Sequence, residues 1–374
     1  MTSTIRTTLT GAALVAAITL GGITSACAQT EEQPFYDDTV IEEVQTDAGQ
    51  PMPATLTEGL WIYDGDIMST GHEWVGVAGG ELHVCGLWHN FWDIYHKGGT
   101  IETSSCDVDI DRLWVTLDTL NASRRDIGTG DTEVDNFILQ IGTRDVHGET
   151  FGVKVADKHL VVSGTSVYYD GQEVNMWGVY DDTSVQIQNY ADGVIHSVGV
   201  GYGYLGNYGG TIYKADLSCG HIDNQGTINE LVYMTSGTLV NTGHIDTISD
   251  MTGGTIDNQR IIDEIEMSGG TLVNTDYIGK LAVAGGAYVE NKDVVEEVEM
   301  WGGMLDNDER IDALTMSGGT LDNAAGYIGT LYYSGGTILY EGNIGEIIYV
   351  DNANVEVDAD GQDAAPLGEE VMLW

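Results

Sequence analysis

Basic residues are scarce in this chain: 13 Lys and Arg stand against 59 Asp and Glu in 374 residues, a formal net charge of −46. Nucleic-acid binding needs clustered bases, and so does docking on anionic lipid, so neither partner class fits. Proline is nearly missing; three of the four residues (Pro34, Pro51, Pro53) share one acidic stretch, 29–56, which reads as an extended tether. Phenylalanine is equally rare, four residues against 19 Tyr and 8 Trp, as in chains that expose amphipathic rings. No G-x-S-x-G elbow and no H-E-x-x-H pair occurs, which removes two familiar hydrolase designs. The longest leader-like apolar run, 12–23, is too short for a transmembrane helix of ~20 residues.

What is present is a core and a leader. A hydrophobic share of 42% is too high for a disordered chain. Residues 1–28 carry one charge, Arg6, then the apolar run, then Thr24-Ser25-Ala26-Cys27-Ala28, the pattern of a secretory signal peptide. Two processing routes stay open. Ala26-Cys27-Ala28 fits cleavage before Gln29, whereas Thr24-Ser25-Ala26-Cys27 approximates a lipobox with Cys27 as the lipidated terminus. A lipid anchor there is the one membrane contact expected. Of the remaining cysteines, Cys85 and Cys106 are a candidate disulfide for an oxidising compartment, and Cys219 reads as a small structural residue inside a repeat.

The repeat is the strongest signal. From about Leu217, a motif close to M-S-G-G-T-L-x-N recurs every 16 or 17 residues, its first paired-Gly position falling at 219, 236, 253, 269, 285, 302, 318 and 335. Four apolar columns keep this register. One of them runs Ile222, Leu239, Ile256, Leu272, Tyr288, Leu305, Leu321 and Ile338. An Asn column runs Asn224, Asn241, Asn258, Asn274, Asn307 and Asn323, with Glu290 and Tyr340 as exceptions. Units this short, rich in Gly and β-branched residues, leave no room for helices of ordinary length. Short strands and turns remain. Stacked units close a core that no single unit can, so the spacing predicts a parallel β-solenoid with one coil per repeat. Asn is expected at a corner because stacked amides can hydrogen-bond from coil to coil and because it tolerates left-handed backbone, and the Gly pair at another corner because it adopts that backbone freely.

These S-G-G-T-L-x-N units over 217–350 resemble the parallel β-helix repeats of bacterial adhesin and autotransporter passenger proteins. The resemblance implies a cell-surface or extracellular protein with a structural or adhesive role, facing a glycan or another surface protein. No translocator-barrel stretch follows the repeats within these residues, so a self-contained autotransporter is not expected. Residues 57–216 read as longer, decayed coils or as a β-rich head, and 351–374 as a cap for the open edge.

Chemical candidates are few. Asp107, Asp109 and Asp111 alternate with Val108 and Ile110, which would project three carboxylates from one strand face. Such a row suits Ca²⁺ ligation (Asp107, Asp109) or the paired acids of a glycan-active β-helix hydrolase or lyase; a plain solvated face is the favoured reading. Asp358 and Asp360 begin a stretch like the front of a calcium loop, but Asp363 stands where that loop needs Gly. His83, Cys85, His89 and His96 match no zinc spacing. Trp61, Trp74 and Trp114 offer either a sugar-stacking platform or a core. No cofactor other than Ca²⁺ is suggested, and a non-enzymatic role is preferred to the glycan-active alternative.

Overall fold

The computed structural model describes residues 55–56, 60–63, 74–84, 89–102, 108–117, 132–146, 149–151, 154–173 and 184–350. They form an all-β, parallel solenoid. Each repeat supplies a short strand and a longer bent one, for example Thr238–Asn241 and His244–Met251, and each stacks in parallel on its counterpart one coil away. In the short strand alternate residues point inward, so Leu272 is buried while Thr271 and Val273 lie half-exposed. In the long strand the inward residues Ile245 and Ile248 are three apart. Two consecutive outward residues, Asp246 and Thr247, mark a bend there, which explains a spacing that superficially suits a helix.

The same stacking continues upstream. Val185 and Ile187 pair with Phe137 and Leu139 on one side, and Ile187 with Leu205 on the other. One hydrophobic core runs without interruption from Val77 to Leu331. Among the described residues, departures from parallel order include the antiparallel hairpin of Val155–Ser163 with Ser166–Tyr169 and the short antiparallel pair Arg144–Val146 with Glu149–Phe151. No described helix is long and apolar enough to cross a membrane.

The Asn column is a continuous hydrogen-bonded ladder, longer than the motif suggests. Asn189, Asn207, Asn224, Asn241, Asn258, Asn274, Asn291, Asn307 and Asn323 are all fully buried. Each of the first eight donates from Nδ2 to the Oδ1 of the next at 2.6–2.8 Å, and Asn323 donates to the Glu341 carbonyl. The second amide proton of several goes to a backbone carbonyl, as from Asn241 to Ile261. Among the described residues none of these Asn has a positive φ. The expected coil-to-coil amide bonds therefore account for Asn here, and the expectation of left-handed backbone at this corner is corrected. The ladder begins at Asn189 because Ile141 occupies the paired place one coil earlier.

One coil departs from the motif register. Val289, not Tyr288, lies between Leu272 and Leu305, and Asn291, not Glu290, fills the ladder. The corner from Val283 to Tyr288 holds one residue more than the corner from Met267 to Thr271, and the buried Ala287 takes the place paired with Gly270. Aligning on the Gly pair thus shifts this coil by one.

Candidate functional site

With the interior closed by side chains, chemistry is confined to the outward columns. The most organised lies on coils 184–225. Gln186, Tyr204 and His221 stand in register, beside a second column of Gln188, Gly206 and Asp223. The Tyr204 and His221 rings stack at 5.3 Å with nearly parallel planes. Tyr190 donates to Gln188 Oε1 at 2.7 Å, and Gln188 donates to Gln186 Oε1 at 3.1 Å. The hydroxyls of Tyr204 and Tyr208 are 2.9 Å apart, and Tyr204 reaches Asp223 Oδ2 at 3.3 Å. Gly206 is required here, since a Cβ would sit 2.5 Å from the Tyr208 ring folded over it. Burial pushes the Tyr208 hydroxyl up to about 12 and raises Tyr204 further, with Asp223 adding to both. Both phenols therefore stay protonated at neutral pH. They offer protonated hydroxyls for hydrogen bonding.

Two further groupings deserve chemical scrutiny. His159 Nδ1 and Ser197 Oγ are 2.7 Å apart, and Asp216, its carboxyl raised chiefly by burial, feels the His159 charge. A nucleophilic serine also needs free N–H groups aimed at an oxyanion. The strand Val194–Val200 that carries Ser197 is paired on both sides, with an irregularity between Ile195 and Ser197, so most of its amides are committed to the sheet. On the other face, Glu290, Asp306 and Asp322 are stacked in register. Burial raises the Asp306 carboxyl, and Asp308, Asp322 and Glu290 raise it further.

The residues singled out from sequence fare unevenly. Ile110 is fully buried and Asp111 half-exposed, as strand alternation requires, and Asp109 lies on the same strand, Val108–Val115. Asp107, Asp358, Asp360, Cys27, Cys85 and Cys106 lie outside the described residues. Trp114 is 3% exposed and stacked on Tyr95 at 5.7 Å, so it belongs to packing and offers no face to a sugar. His96 is buried. Cys219 is more than a small residue: it is disulfide-bonded, to a cysteine outside the described set.

No protein-family model, curated protein or solved structure matches the chain.

Proposed function

We infer that this is an exported, surface-associated protein in which a stiff solenoid acts as a spacer and presents its outward columns to an extracellular glycan or surface protein. One observation carries the reading: core and Asn ladder run through consecutive coils without a break. At ~4.8 Å per coil, nine linked Asn span about 38 Å. A rod braced along its length suits display better than turnover. The leader-like residues 1–28 and the disulfide at Cys219 support export, because structural disulfides persist in oxidising compartments.

Cell-surface proteolysis of the native host, followed by immunodetection of the 217–350 region, tests this. Release from intact cells, or recovery from the medium, is expected. Protection until lysis would overturn it. The alternative, a glycan-active enzyme using Asp107, Asp109 and Asp111, makes a different prediction. Sugar-specific turnover that Asp109→Asn abolishes would displace the display role.

A further inference from the structure

We propose that His244, Asp246 and Asp263 form a binding site for one divalent transition-metal ion of the zinc type, bridging two adjacent coils. Asp246 and Asp263 occupy the same outward column, because Ile245 pairs with Ile262 and Thr247 with Glu264 on either side of them. His244, two residues before Asp246, turns its ring toward both carboxylates. Its Nε2 lies 3.1 Å from Asp263 Oδ2 and 3.6 Å from Asp246 Oδ1. The three donor atoms all fall within 4.8 Å of one another.

Those separations have a geometric meaning. Donors 2.0–2.1 Å from a tetrahedral ion lie about 3.3 Å from each other, so 3.1 and 3.6 Å bracket that value. A neutral imidazole has one proton at most on Nε2 and can satisfy only one of the carboxylates. No lysine or arginine among the described residues lies within ion-pair distance of Asp246 or Asp263; Lys280, on the next coil, is engaged by Glu299. Two like charges are therefore stacked with nothing but a histidine between them.

The column itself adds a second, independent feature. One coil before Asp246 stands Asn229, whose Oδ1 is buried and accepts no hydrogen bond. One coil after Asp263 stands Gly279, so no third charged side chain follows in the column, and the Tyr277 hydroxyl lies beside that position. An unmet oxygen acceptor next in the column to the two carboxylates suits a cation. The nitrogen donor selects its kind: imidazole favours zinc-like ions, whereas Ca²⁺ takes all-oxygen shells. Three protein donors leave a fourth position facing solvent, the pattern of an open zinc site.

Calorimetric titration of EDTA-dialysed intact protein with ZnCl₂, in NaCl sufficient to screen diffuse binding to carboxylates, tests the site. One equivalent should bind above a weak multi-site background. His244→Ala and Asp263→Asn should each weaken that equivalent at least about tenfold, while His196→Ala leaves it unchanged. CaCl₂ should show the background alone. Co²⁺ loading should give tetrahedral visible absorption that His244→Ala removes. These side chains are half-exposed, so the variants should unfold at the wild-type temperature in EDTA. Absence of a one-equivalent step, or a step that survives His244→Ala, would mean that the three groups form only a surface hydrogen-bonded pair, and would overturn the proposal.

Discussion

Asn274 is the residue whose surroundings are most completely determined. It accepts from Asn258, donates to Asn291 and to the Asp276 carbonyl, and is fully buried. Asn274→Ala leaves the buried Asn291 Oδ1 below without its donor, while Asn258 Nδ2 above keeps the Arg260 and Tyr277 carbonyls, and this should cost about 1–3 kcal/mol. Its neighbour Leu272, equally buried between Ile256 and Val289, should cost about 2–5 kcal/mol when cut to Ala. Lys280→Ala removes only an exposed pair with Glu299 and should be nearly silent. Denaturant unfolding of the three variants checks the order; equal small losses would mean the register is wrong. At this scale the sequence was largely legible, since Leu272 and Asn274 recur at fixed intervals. Asn207 and Asn189 were legible too, standing 17 and 18 residues further upstream, but the motif around them had decayed. The His244 grouping was hidden because its carboxylates lie 17 residues apart and meet only through stacking.

At the level of the element, the corners explain why Met and Gly–Gly travel together. The second Gly of the pair is left-handed, as at Gly254 and Gly270, with φ of +89° and +82°. A Cβ on Gly270 would also lie 2.6 Å from the terminal methyl of Met251, one coil earlier. Gly270→Ala should therefore cost at least ~1–2 kcal/mol from backbone strain alone. Gly286, in the corner with the extra residue, meets nothing within 4 Å and has no left-handed φ. Gly286→Ala should be neutral, or stabilise by ~0.4–1 kcal/mol through the unfolded chain. Thermal midpoints of the pair give the test, and similar losses would contradict the corner geometry. The inserted residue at this corner could not be read from spacing alone, because a 17-residue interval arises equally from a bulge in the long strand, as between Ile248 and Met251.

Across the whole molecule, charge opposes the fold that packing builds. Asp306 shows the sign. Its carboxyl is raised in the folded state by burial and then by neighbouring carboxylates. Such a group contributes fully below the ordinary carboxylate pKa and loses that contribution as pH rises through the raised value. At neutral pH it therefore destabilises. Asp306→Asn should raise the thermal midpoint at pH 7 in low salt, and the gain should vanish below the ordinary carboxylate range and shrink in added NaCl. A midpoint unchanged at pH 7 would mean that the carboxylates are already screened.

The display reading rests on the ladder passing unbroken through the coils from Asn189 to Asn323, and the coil at 288–291 exposes that claim most directly. There the motif places Glu290 in the ladder, while stacking places Asn291, which donates to Asn307 and accepts from Asn274. Glu290 points outward and pairs with Lys292 at 2.7 Å. Equilibrium unfolding of Asn291→Ala beside Glu290→Ala separates the two registers. A loss of about 1–3 kcal/mol at Asn291 with at most ~1 kcal/mol at Glu290 is expected. The reverse order, or no difference between them, would contradict a continuous ladder.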